Sequence, residues 1–142
     1  MSWDERWLSL ATLVASWSKD RSRKVGAVIV DDRQNLLAIG WNGFPRGVDD
    51  DVEERHERPI KYEFTEHAER NAIFNAAASG VGLIGSTIYL QWYPCSDCSR
   101  GIVQSGISNV VCGEPDWKDP QWGKSFEVSR QILKEGNATV RS

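Results

Sequence analysis

The 142-residue chain lacks several features that would have set its class at once. It has no basic excess: 17 Lys and Arg stand against 20 Asp and Glu, a net charge of −3. Proteins that live on polyanions carry such an excess, so stable nucleic-acid binding is disfavoured and only a local basic pocket is left open. No stretch approaches the ~18 consecutive apolar residues of a membrane span. The opening Met1–Trp7 mixes acid and base, with no apolar stretch and cleavage site behind it, so the expectation is a cytoplasmic protein without membrane contact. Cysteine is scarce and odd in number: Cys95, Cys98 and Cys112 cannot build a disulfide framework, and a close pair in a reducing compartment points to metal or redox chemistry. Repeats, low-complexity tracts and linkers are also missing, which leaves one domain over residues 1–142.

What is present is an ordinary globular composition, 40% hydrophobic and 26% charged, in a chain long enough to bury a core. Trp3 to Ser18 carries apolar residues at 3, 7, 10, 11, 14 and 15, a helical spacing, with Ser2 and Glu5 placed as a capping box. Val25–Val30 and Leu36–Trp41 read as a β-hairpin around Asp31–Asn35. Residues 42–64 are polar and aperiodic, a long segment of the kind that is often functional. Thr65–Ser79 reads as a helix, Thr87–Gln91 as a strand, Cys95–Ser105 as a helix and Asn109–Cys112 as a strand. Phe126–Leu133 reads as a last helix, with a final strand over Ala138–Val140. This order predicts an α/β fold, a three-layer α/β/α sandwich on a mixed, about five-stranded central sheet. Its β-α-β-α-β half calls for parallel strands with right-handed crossovers if those strands are neighbours.

The chemistry concentrates in His67-Ala68-Glu69 and Pro94-Cys95-Ser96-Asp97-Cys98. One imidazole and two thiolates give zinc three protein ligands and leave the fourth tetrahedral position open, the catalytic pattern, whereas closed structural sites use four. No fourth soft ligand is evident, since Cys112 sits on an expected strand and His56 in the polar segment. His67 is expected in the first turn of one helix, and Cys95 and Cys98 in the first turn of another, where a helix N-terminus stabilises thiolates. The two N-termini can share one metal if their preceding strands are parallel neighbours. Glu69 can then lean toward a water on the open position, whose pKa zinc lowers from ~16 toward ~7. The bland alternative is a structural zinc clip with Glu69 a solvated surface acid.

The order His-x-Glu … Pro-Cys-x-x-Cys is similar to that of zinc-dependent deaminases. Further segments narrow the resemblance: Ser18-Lys19-Asp20, Val25-Gly26-Ala27, Gly40-Trp41-Asn42-Gly43-Phe44-Pro45-Arg46-Gly47, His67 to Ile73 and Tyr93 to Cys98. Over residues 5–120 the chain resembles the deoxycytidylate (dCMP) deaminases of the cytidine deaminase-like superfamily. Tyr93 stands where deaminases of tRNA adenosine and of guanine commonly carry Glu, which argues against those substrates.

The resemblance implies hydrolysis of dCMP to dUMP and ammonia. A zinc-activated hydroxide attacks C4 while Glu69 shuttles protons to N3 and to the departing amine. The Ala68 N–H would meet the base carbonyl, and Asn42 would hold the deoxyribose, although Asn42-Gly43 alone is a plain turn signal. For the phosphate, Arg23 and Lys19 in the basic cluster before the first strand are the candidates, with Lys118 after Trp117 as another. A cluster of that kind is usually a solvated face. Family members are often hexamers regulated by dCTP and dTTP, which places Gly43, Arg46, Gly47 and the Asp49–Asp51 run as candidates for a triphosphate effector with Mg²⁺. A turn followed by a solvated acidic loop explains those residues equally well.

The chain departs from the family pattern at Trp17 (commonly Arg), at Glu66 (commonly Cys) and at Trp117, a substrate-binding candidate that stands where a Tyr is commonly found near the substrate, and Trp92 adds an indole beside the zinc segment. Substrate choice therefore stays open among dCMP, dCTP, 5-substituted dCMP, deoxycytidine and guanine. A reading of different class is an inactive zinc-stabilised binding module, and Glu69 is the residue that separates it from an enzyme.

Overall fold

The computed structural model describes all residues 1–142. Its elements are helix α1 (Trp3–Ala15), strands β1 (Gly26–Val30) and β2 (Leu36–Trp41), a 3₁₀ turn (Glu53–His56), the short helix α2 (Lys61–Phe64), α3 (Ala68–Ala78), β3 (Thr87–Leu90), α4 (Ser96–Gln104), β4 (Asn109–Val111), α5 (Gly123–Glu135) and β5 (Thr139–Arg141). The five strands form one sheet in the order β2-β1-β3-β4-β5. β1 is antiparallel to both β2 and β3, while β3, β4 and β5 run parallel.

Alternation along the strands divides the core. Val28, Val30, Tyr89 and Val111 pack with Ala11 of α1 on one face. Ala27, Ile29, Ile88, Leu90 and Val110 pack with α3, α4 and α5 on the other, through Ala68, Ala72, Ile102 and Leu133. The β3-α4-β4 and β4-α5-β5 units step the same way across the sheet, so crossovers of one hand lay α4 and α5 on one face. Two glycines permit the closest approaches. A Cβ at Gly26 would lie 2.1 Å from Ala11 O, and one at Gly40 would lie 2.3 Å from Ala72 N, both backbone atoms. No helix is long and apolar enough to cross a membrane.

The expected three-layer architecture holds, with differences in detail. The 42–64 segment is not wholly irregular: it contains the 3₁₀ turn and α2. α3 starts at Ala68 rather than Thr65 because Glu66 is held extended, exchanging backbone hydrogen bonds with Gly43 (3.1 and 2.8 Å). α5 starts three residues earlier than its apolar pattern suggests, since the Asp119 carboxylate accepts the N–H groups of Gln121 and Trp122, both at 2.8 Å, and so shapes the turn before it. The strands preceding α3 and α4, namely β2 and β3, share a direction but are not neighbours, because β1 lies between them.

Candidate active site

His67 and Cys95 occupy the N-cap positions of α3 and α4, one step before the first turns expected for them. Both have extended backbone, with φ and ψ of −74° and 153° at His67 and −72° and 173° at Cys95. Cys98 follows within the first turn of α4 and is fully buried. His67 Nδ1 lies 3.5 Å from Cys95 Sγ and 3.3 Å from Cys98 Sγ. Zinc bonded at about 2.3 Å to sulfur and about 2.0 Å to nitrogen in a tetrahedron sets its ligand atoms about 3.5 Å apart. Both sulfurs stand at that spacing from the imidazole nitrogen, and all three donor atoms lie within 4.8 Å of one another, so the donor set fits the metal.

The electrostatics agree with a cation site. A hydrogen bond with Cys98 and the neighbouring His67 bring the Cys95 thiol down to about 4, against the opposing effect of burial. The same bond to Cys95, with burial added, raises Cys98 well above the ordinary thiol range. A divalent metal bound there would displace the thiol protons. Glu69 is buried beside them, and burial pushes its carboxyl up although His67 partly opposes the shift.

Two contributors were not legible in the sequence. Arg70 lies between Glu66 and Asp97 and joins α3 to the start of α4, with Nη1 3.6 Å from Asp97 Oδ2. Its Nε is 2.6 Å from Glu66 Oε1 but makes no aligned hydrogen bond, so charge holds this contact. Trp122, the N-cap residue of α5, meets the His67 ring edge-on with centroids 6.4 Å apart. It is brought there because α5 docks on α4 through Ser125, whose Oγ accepts the Ser96 N–H at 2.9 Å, and through the buried Ser99–Ser129 hydroxyl pair.

The other expected residues divide. Asn42 is buried after β2, and its amide serves the backbone: Oδ1 accepts the Val25 N–H at 2.9 Å and Nδ2 donates to Arg23 O at 2.8 Å. Asn42-Gly43 is therefore more than a turn signal, because it fixes the segment entering β1. Lys19 is paired with Asp50 at 3.1 Å and Arg21 with Glu53, whereas the Arg23 guanidinium sits over Trp92, 4.4 Å from the ring centroid. Trp117 packs on Tyr93 (5.5 Å between centroids) beneath Arg130, and Trp122 is the indole that meets the candidate ligand His67. Lys118 is exposed in the segment before α5.

Of the loop residues, Gly43 bridges to Glu66, Arg46 donates to Asn75 Oδ1 at 2.7 Å, and Gly47 turns at φ +84°. Asp49, Asp50 and Asp51 bring their carboxylates close together at the surface. A cavity of about 280 Å³ opens beside this loop, walled by Trp17, Trp41, Phe44 and His56 with Lys19 and Lys61. It approaches the ligand cluster through Gly43 and Thr65 but does not contain His67, Glu69 or the cysteines.

Comparison with known proteins gives a consistent picture. Residues 1–114, which include all three candidate ligands, match the model of the cytidine and deoxycytidylate deaminase zinc-binding region. An uncharacterised deaminase from the luxG 3′ region of Aliivibrio fischeri is 40% identical over 140 residues, 97% of this chain and 91% of that protein. The deoxycytidylate deaminase of Mus musculus is 34% identical, covering 99% of this chain and 79% of its own. The dCMP deaminase of cyanophage S-TIM5, solved in complex with dCMP and dUMP, superposes with a TM-score of 0.76 at 29% identity. That alignment covers 96% of this chain and 93% of the phage protein.

Proposed function

The chain belongs to the cytidine and deoxycytidylate deaminases, and from that membership we propose that it hydrolyses dCMP to dUMP and ammonia at the centre formed by His67, Cys95, Cys98 and Glu69. The observation that carries this reading is the convergence of one imidazole nitrogen on two sulfurs at zinc-ligand spacing, with a buried carboxylate two residues away.

His67, Cys95 and Cys98 would hold the zinc, and three protein ligands suit a catalytic rather than a structural metal. Bound there, zinc supplies the acidity that lets a water attack at neutral pH. The water oxygen bonds to C4 of cytosine and the C4–N bond breaks. Glu69 carries one proton of that water to N3 and the other to the departing amine, so the products are the uracil ring and NH₃. Ala68, the first residue of α3, has an N–H with no carbonyl one turn behind it, which leaves it available to the base carbonyl. Trp122 packs edge-on against the His67 ring and buttresses it.

The finer parts of the reading concern regulation and assembly. The cavity lined by Gly43 and Asp50, though not by Arg46, Gly47 or Asp49, combines aromatic walls with cations, and it suits a nucleoside triphosphate with Mg²⁺ in a cytoplasmic homo-oligomer. Saturation by dCMP that ignores both dCTP and dTTP removes that part alone.

The test is ammonia release by the zinc-loaded protein from dCMP, deoxycytidine, dCTP and guanine at matched concentrations. Turnover of dCMP well above deoxycytidine is the expected result. Preference for another member of the panel keeps the zinc chemistry and moves the substrate, while silence on all four with zinc bound favours a binding module.

A further inference from the structure

The end of the sheet that carries the ligands also carries an unspent cation. The start of β1 and the end of β3 are antiparallel neighbours there, with Ala27 opposite Leu90 and the Gly26 N–H donating to Gln91 Oε1 at 3.0 Å. Arg23 lies just before β1, and Trp92 lies in the loop that runs from β3 into Cys95.

The backbone of Arg23 is fixed on both sides. Its N–H donates to Asp20 Oδ1 at 3.1 Å, and its carbonyl accepts from Asn42 Nδ2 at 2.8 Å. Asp20 is anchored in turn by the buried Lys61, 3.4 Å away. The guanidinium behaves differently from its neighbours: Lys19 and Arg21 give their charge to Asp50 and Glu53, but Arg23 donates to no protein acceptor and sits over the Trp92 indole, its Cζ 4.4 Å from the ring centroid. A guanidinium held over an indole by cation–π attraction keeps its N–H donors free, and a guanidinium with free donors can grip a phosphate through two oxygens.

We propose that Trp92 is a positioning residue that presents Arg23 to the 5′-phosphate of the substrate, so that this indole–guanidinium pair makes the enzyme prefer a nucleotide over a nucleoside. The inference rests on the reading of the centre as a dCMP deaminase. It gives Trp92 a role through Arg23 rather than through contact with the base, and it separates Arg23 from the paired Lys19 as the phosphate cation.

The experiment compares zinc-loaded wild type with Trp92→Leu, Trp92→Phe, Arg23→Gln and the double variant Trp92→Leu/Arg23→Gln. The readouts are kcat and KM for dCMP and deoxycytidine, and the inhibition constants of dUMP and deoxyuridine. Trp92→Leu is expected to lower the dCMP to deoxycytidine ratio of kcat/KM about two- to fivefold, through KM, and to weaken dUMP inhibition alike. Trp92→Phe restores most of the loss. Arg23→Gln lowers the ratio about tenfold or more, and the double variant is no worse than Arg23→Gln, because Trp92 acts only through the cation. Equal losses on nucleotide and nucleoside in Trp92→Leu, or full additivity in the double variant, overturn the proposal. Wild-type turnover of dCMP that is indifferent to both residues defeats this inference alone. A wild type with zinc bound that leaves dCMP unchanged defeats the underlying reading as well.

Discussion

His67 Nδ1 and Cys98 Sγ lie 3.3 Å apart, although one caps α3 and the other sits in the first turn of α4. The sheet makes the meeting possible. β2 and β3 deliver their chains to the same end, and Arg70 ties α3 to Asp97 across the gap. The consequence is a cluster of three donors close enough together to hold a metal ion.

Chelation of the metal is therefore expected to abolish ammonia release and to lower thermal stability together. A ligand at a hundred times its Kd adds about 2.7 kcal/mol, which for a chain of this size is about 5–10 °C in Tm. Readdition of zinc restores both. An unchanged Tm with full turnover after chelation contradicts a metal centre at these residues.

Asn42 is expected to matter for stability as well as for substrate. Its amide serves Val25 N and Arg23 O in a buried position, so Asn42→Ala leaves two backbone groups without partners and costs about 1–3 kcal/mol. Asn42→Asp keeps the acceptor for Val25 and loses the donor to Arg23, and its unfolding midpoint falls between wild type and Asn42→Ala. An unchanged midpoint with a raised KM for dCMP instead gives Asn42 the sugar-binding role alone.

The far face of the sheet carries a pH dependence unrelated to the metal. The Tyr89 hydroxyl donates to Asp4 at 2.8 Å, and Arg141 of β5 donates to both Asp4 oxygens at 3.1 and 3.2 Å. Burial and the Asp4 carboxylate push the Tyr89 hydroxyl up to about 12 from its ordinary 10.0. Its contribution to stability is thus complete below 10.0 and is lost as pH rises through 12. Arg141 holds Asp4 below its ordinary 3.8, so that carboxylate stabilises above 3.8 and ceases to as pH falls through its lowered value. Denaturation midpoints of Tyr89→Phe are expected to decline less between pH 10 and 12 than those of wild type, the remainder coming from the buried Cys112 thiol, which is also raised to about 12. An identical decline in the two proteins contradicts the assignment.

Much of this was legible in the sequence for local reasons. The capping box at α1 forms as its spacing predicts: the Glu5 N–H donates to Ser2 Oγ at 3.1 Å, and the Ser2 N–H donates to Glu5 Oε2 at 3.2 Å. The clustering of His67 with Cys95 and Cys98 was legible because donor chemistry and the Cys-x-x-Cys spacing single those residues out. Trp122 and Arg70 were not, since their places depend on how α5 docks on α4 and how α4 meets α3. The candidates Lys19 and Arg23 could not be ranked from sequence either. Only the fold brings Asp50, more than thirty residues later, onto Lys19, and puts Trp92 under Arg23. The aperiodic 42–64 segment hid α2 because that helix is only four residues long, too short to show a period.

The central claim is tested most directly by Glu69→Ala, loaded with zinc and assayed for ammonia release from dCMP, with bound zinc and Tm measured on the same sample. If Glu69 moves the protons, the variant keeps its zinc and its fold and turnover falls at least about 10²-fold. Ammonia release at the wild-type rate would contradict the account.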